Sequence, residues 1–184
     1  TLHQSQLIIS VAAGVEIIML RQWLRGHHFI IRAMPNLAAS IGQSATALYV
    51  DGYGLIAQTR VDQLFSLLGS NIWLADEDQM AIATVVAGSG PAYYYLLSES
   101  IIKGAQALGL PKAIATNLCK QTALGAAMLV MPENCDITNT RNQVTSPGGT
   151  TAAAVKTMLD SGWQEVVERA ILTAYQRANE LKKS

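Results

Sequence analysis

Apolar residues fall into two rhythms along this chain, and the change comes near Asp76. Before it, residues 7–11 form an apolar run of strand length, as expected for a strand buried on both faces. Ala12-Ala13-Gly14 turns the chain into a helical spacing at Val15, Ile18, Leu20 and Leu24. Phe29-Ile30-Ile31 is a second strand, so strand, helix and strand predict a parallel crossover unit. Residues 45–50 read as a strand, 61–68 as a helix closed by Gly69, and 71–74 as another strand. Past Asp76 the spacing is helical throughout. Helices are expected over 77–87, ended by Gly88, and over 91–108, opened by Ser89-Gly90-Pro91 and stopped by Gly109. Pro111 begins another toward Met131-Pro132, and the last two cover 151–159 and 163–183. The final helix carries Glu165 and Glu168 early and Lys182 and Lys183 late, as its dipole favours. The pattern predicts α/β plus all-α: a partial Rossmann-like parallel sheet over residues 1–77, then a helical domain over 78–184.

Three or four parallel strands make a small domain by themselves. Doubly wound sheets usually open with a strand, a Gly-rich turn and a helix that receives a pyrophosphate. No G-x-G-x-x-G follows a strand in this sequence. The sheet therefore reads as the C-terminal part of a dinucleotide-binding domain whose opening is absent. A short independent α/β domain is the alternative.

Composition sharpens the reading of the helical part. Of 184 residues, 50% are hydrophobic and 14% charged, against about 25% charged in ordinary domains. That excludes intrinsic disorder. Thirteen basic and thirteen acidic residues cancel, so nothing in the charge draws nucleic acid or an anionic membrane. Gly104, Gly125 and the alanines around them would let helices approach closely. A surface this poor in charge is expected to be covered by a second subunit, with a densely packed single bundle as the alternative. Residues 79–98 carry no charge, but Gly88-Ser89-Gly90-Pro91 interrupts them, and Asp78 and Glu99 flank them. They read as interface and not as a membrane span. The first residues have no basic region and do not fit a signal peptide. Cys119 and Cys135 make no disulfide framework and the three histidines no metal spacing, which suits a reducing cytosol.

The sharpest local motif is Thr145-Ser146-Pro147-Gly148-Gly149-Thr150-Thr151, just before an alanine-rich helix. Glycines allow a tight turn, and the first amides of a helix are unpaired donors at the positive end of its dipole. A small carboxylate suits such a place. An ordinary Pro-Gly turn with a threonine cap is the plainer reading. No lysine follows the glycines, so this is no Walker loop. Met34-Pro35-Asn36 stands after a strand's C-terminal end, where open parallel sheets bind ligands, or where a strand simply turns. Glu77 and Asp78 open a helix, as the dipole alone would favour.

In order and spacing, several motifs resemble pyrroline-5-carboxylate reductase. They are Ala12-Ala13-Gly14, Arg32-Ala33-Met34-Pro35-Asn36, Gly88-Ser89-Gly90-Pro91-Ala92-Tyr93, Gly109-Leu110-Pro111, Gln121 with Leu124-Gly125-Ala126-Ala127, and residues 144–151. The resemblance implies reduction of 1-pyrroline-5-carboxylate to L-proline with NADPH or NADH, the last step of proline biosynthesis, in the cytoplasm. It implies a homodimer, possibly built into a decamer, with the pocket made between partners, and neither nucleic acid nor membrane as partner. Carried over residue by residue, the amides of Gly149, Thr150 and Thr151 grip the substrate carboxylate. The Thr151 hydroxyl meets the ring nitrogen and assists protonation, and so is the catalytic candidate. Ser146 and Gly148 shape the loop, and Glu77 matches a position near the substrate. Val11, Ala12 and Ala13 line the nicotinamide side, with Met34, Asn36 and Gln143 also on the cofactor.

The sequence departs from the family in places. Leu37-Ala38 replaces threonine and proline, Gln143 replaces asparagine, and Asn134 stands where many members carry an acid, with Glu133 beside it. Without the Gly-rich turn, the polypeptide as given is expected to hold cofactor weakly and to be inactive alone. A non-catalytic remnant that dimerises or binds a small carboxylate is the alternative function.

Overall fold

The computed structural model describes residues 3, 6–52 and 57–182. Two compact units result, Thr1–Pro91 with Arg169–Ser184, and Ala92–Glu168. The division falls inside two helices and not at residue 77.

The first unit is built on a four-stranded sheet in the order β1 (Ile8–Ser10), β2 (Ile30–Met34), β3 (Ser44–Val50) and β4 (Gly69–Trp73). Helix α1 (Ile17–Trp23) links β1 to β2, and α2 (Gln58–Phe65) precedes β4. Both of these strand pairs are parallel, with Ile8 opposite Ile30 and Ser44 opposite Gly69. The middle pair, β2 with β3, is antiparallel, where an all-parallel sheet was expected. The reason is the short link from Met34 to Ser44, which holds only a 3-10 turn, Leu37–Ile41. A parallel return needs a crossover of a dozen or more residues.

Ile30 and Ile31 are both completely buried, on opposite faces of the sheet. Ile30 meets Ile17 and Leu20 of α1, while Ile31, Ala33 and Leu48 pack with Val61 and Phe65 of α2. This two-sided cover explains why the strand sequences run apolar instead of alternating. Gly69 opens β4 and does not close the preceding helix. At φ +140° its missing Cβ would stand 2.2 Å from the Ser44 carbonyl oxygen, so the strands meet there only around glycine.

Helix α3 (Gln79–Ala83) was expected to stop at Gly88. Instead it passes through a π-helical turn, Thr84–Gly88, directly into α4 (Gly90–Ala107). The Ser89 amide reaches back to the Thr84 carbonyl at 2.9 Å. Such a turn leaves carbonyls out of the regular ladder, and the Asn36 side chain fills the one at Ala87, donating Nδ2–H at 3.0 Å. Gln79–Ala107 is, among the described residues, the run long and apolar enough to cross a membrane by length and composition. Its buried stripe of Met80, Ala81 and Val85 belongs instead to the first unit's interior.

In the second unit follow α5 (Lys112–Val130), α6 (Ile137–Gln143), α7 (Thr150–Asp160) and the start of α8 (Trp163–Leu181). Helix α6 was not foreseen. Asp136 caps it, its Oδ1 accepting the Thr138 and Asn139 amides at 2.8 and 3.2 Å. Among the described residues of this unit only Ala115 and Cys119 are buried, while Leu108, Leu124, Met128 and Leu129 are exposed.

Candidate functional site

The proposed site residues fall into one group in each unit. In the first, the turn after β1 presents Val11, Ala12 and Ala13 at the surface, with Val11 60% exposed. Small side chains leave the backbone there open to a flat ring. Below it lies a polar tie. Glu77 Oε1 accepts the Ile17 amide at 2.7 Å and Arg32 Nη1 at 2.9 Å. Ile17 is the first residue of α1, whose own N-cap, Glu16, makes no capping bond. Glu77 thus supplies the missing cap from 60 residues away in sequence. Arg32, almost wholly buried, has its charge met by the same carboxylate.

Met34 ends β2, Asn36 stands two residues further on, and both are half-buried. The Asn36 side chain is tied to the protein at both ends, its Oδ1 accepting the Ala38 amide and its Nδ2 donating to the Ala87 carbonyl. The Met34 Sδ-methyl lies beside Gly88, 3.6 Å from where a Cβ would stand.

In the second unit, Gln143 ends α6, and the loop from Thr145 to Gly149 leads into α7. Ser146, Gly148, Thr150 and Thr151 are exposed. Gly148 has φ +73°, and the Gly149 amide donates to the Ser146 carbonyl at 3.0 Å. That bond closes the turn and takes the Gly149 amide out of use. No side chain caps α7. The donors left open are therefore those of its first turn, Thr150, Thr151 and Ala152, one position further along than the motif suggested. An uncapped, exposed first turn with two threonines is chemically suited to an anion with a polar neighbour.

Sequence reasoning missed the Arg32–Glu77–Ile17 tie. Its only signal was a basic residue inside an apolar strand, since Lys and Arg are rarely buried unpaired.

A sheet unit covered on both faces, with an open turn after its first strand, and a helical unit with an uncapped helix start after a Gly-Gly turn fit the class of a two-part dehydrogenase-like chain. The comparisons narrow that class. Residues 77–181 match the family model for pyrroline-5-carboxylate reductase dimerisation. The chain is 40% identical over 181 residues to the pyrroline-5-carboxylate reductase of Pseudomonas aeruginosa, covering 98% of this chain and 66% of that one. The Pisum sativum enzyme is 38% identical with the same coverage. Among solved structures, a pyrroline-5-carboxylate reductase from Coxiella burnetii superposes with TM-score 0.91 at 36% identity, covering 97% of this chain and 66% of that one. The Plasmodium falciparum pyrroline carboxylate reductase with NADP bound gives 0.84 at 26% identity, covering 97% and 72%. The chain belongs to the pyrroline-5-carboxylate reductase family. It spans 66% of the length of the first of these relatives.

Proposed function

We propose that this chain supplies the substrate-holding and nicotinamide-facing parts of a cytoplasmic pyrroline-5-carboxylate reductase, which reduces 1-pyrroline-5-carboxylate to L-proline with NADPH or NADH. The observation that carries the reading is the family match over 77–181, which takes in the uncapped start of α7. Its roles follow from simple chemistry. The amides of Thr150, Thr151 and Ala152 hold the substrate carboxylate, helped by the helix dipole. The Thr151 hydroxyl meets the ring nitrogen and keeps the imine protonated, hence electrophilic, so that orientation does most of the remaining work. Ser146, Gly148 and Gly149 hold the turn in shape. Gln143 stands on the cofactor side.

The residues present fit the nicotinamide end of a dinucleotide and not its pyrophosphate. Val11, Ala12 and Ala13 form an open apolar edge, whereas the sequence holds no G-x-G-x-x-G turn to cradle phosphates. When bound, the cofactor supplies the hydride. Glu77 acts here on the frame: its Oε1 is committed to Arg32 and Ile17, and it steadies the edge instead of gripping substrate. Alone, the chain is expected to bind dinucleotide weakly.

The exposed apolar helices of the second unit are assigned to a second copy of the chain, giving a homodimer. The exposed helices and the open amides of α7 serve one other reading as well, a non-catalytic protein that dimerises or holds a small carboxylate. The two part on one measurement. Expressed with the reading frame upstream of Thr1, the protein oxidises NADPH when given pyrroline-5-carboxylate, and Thr151→Ala lowers kcat roughly 100-fold. No turnover in the unaltered protein selects the non-catalytic reading, and unchanged turnover in the mutant removes Thr151 from its role.

A further inference from the structure

The far end of α8 returns to the turn after β1, and independent contacts hold it there. Gly14 has φ +76°, and a Cβ at that position would come within 3.2 Å of the Leu181 carbonyl oxygen. The backbone of the helix end thus crowds the place where any other residue would carry its Cβ. Next to it, Lys182 extends a side chain that is only 15% exposed and sets Nζ 3.3 Å from Glu16 Oε1 and 3.8 Å from Asp78 Oδ1. Ala13, Gly14, Arg32, Met80, Leu181 and Lys182 wall a pocket of about 50 Å³ between these parts.

The turn itself has little else to hold it. Val11, Ala12 and Ala13 are exposed and contribute no core, and the Glu16 side chain makes no capping bond to its own helix. Two cations therefore hold the stretch in place from two sides. Arg32 acts through Glu77 on the Ile17 amide, and Lys182 acts on the neighbouring Glu16. A lysine with this little exposure is screened less by salt than a surface one, so its pair can fix geometry.

We infer that Lys182 is a positioning residue: it clasps the Ala12-Ala13-Gly14 turn against the end of α8 and so sets the edge that meets the nicotinamide. The last clause rests on the reductase reading, while the clasp does not. Lys182→Met keeps the stem and removes the charge, and Lys182→Arg keeps the charge. Glu16→Gln removes the partner without touching α8. Amide exchange of the chain without cofactor reads the clasp directly. In Lys182→Met and in Glu16→Gln the Ile17 amide is expected to exchange about fivefold faster, with the Leu48 amide in the core unchanged. Lys182→Arg restores the native rate. An Ile17 rate unaltered in both charge-removing variants overturns the clasp, as does equal acceleration at Leu48 in both, which would mean general loosening.

In the protein expressed with its upstream frame, Lys182→Met should raise the KM for NADPH about fivefold at nearly constant kcat, and Lys182→Arg should recover it. A fall in kcat with unchanged KM overturns the positioning role. Absence of turnover in the unaltered protein overturns the reductase reading, and the exchange rates still decide the clasp.

Discussion

In the first unit Ile30, Ile31 and Leu48 are wholly buried, whereas in the second Leu124, Met128 and Leu129 each expose more than half their surface. Both regions are rich in apolar residues, so composition does not separate them. What differs is closure. The sheet is covered on both faces by α1 and α2, and its apolar residues complete their own core. Along α4 and α5 the apolar positions point to several sides, and among the described residues only Ala115 and Cys119 become buried. Apolar surface of that extent marks an interaction face. One region folds against itself; the other is shaped to be finished by a second chain.

The contrast can be broken at either end. Leu48→Ala empties a site with no exposure and should cost about 3 kcal/mol of stability in urea titration. Leu124→Ala, measured at dilution where copies have parted, should cost a few tenths of that at most, and an equal loss would erase the distinction. Leu124→Glu with Met128→Glu should weaken dimerisation roughly 100-fold in sedimentation velocity, since it forces charge into an apolar contact. A single-chain mass for the unaltered protein at micromolar concentration would remove the second copy from the account.

The smallest effect is confined to the sheet. Burial first, and then the Glu77, Asp51 and Asp76 carboxylates, raise the Tyr49 phenol above its ordinary 10.0, with Arg21 opposing. A folded value above the unfolded one means that the unfolded chain releases this proton first. The contribution is present below about pH 10 and lost as pH climbs through the folded value. Tyr49→Phe should therefore flatten the alkaline limb of a stability profile followed by circular dichroism, and an unchanged limb would show that the phenol carries none of it.

Much of this architecture was legible because it is local. Residues 7–11 and 45–50 announce strands by largely apolar runs broken only at Ser10 and Thr46, and Pro111 and Gly162 mark helix boundaries within a residue or two of where they fall. The antiparallel pair was legible too, had the length of the Met34–Ser44 link been weighed against what a crossover requires. Helix α6 hid because Thr138, Asn139, Thr140 and Asn142 give it no apolar face, and only Asp136 signalled its start. The loop before α7 was visible as a motif, yet which amides stay open depends on the bond from Gly149 to Ser146, a matter of local dihedrals. The ties from Arg32 and Lys182 were out of reach for a different reason. They join residues 45 positions apart and more, and no periodicity encodes a partner at that distance.

The order of the sheet has a kinetic consequence. Each strand after β1 lies beside the one before it, so each new strand emerging from the ribosome finds a waiting edge, and the chain to be closed is one local link or one helical crossover. The approach of Leu181 to Gly14 is the reverse case, since the whole stretch from Gly14 through Leu181 must be made before those two residues can meet. The sheet should therefore zip early and the last helix dock late, leaving the turn after β1 the final part of its unit to settle.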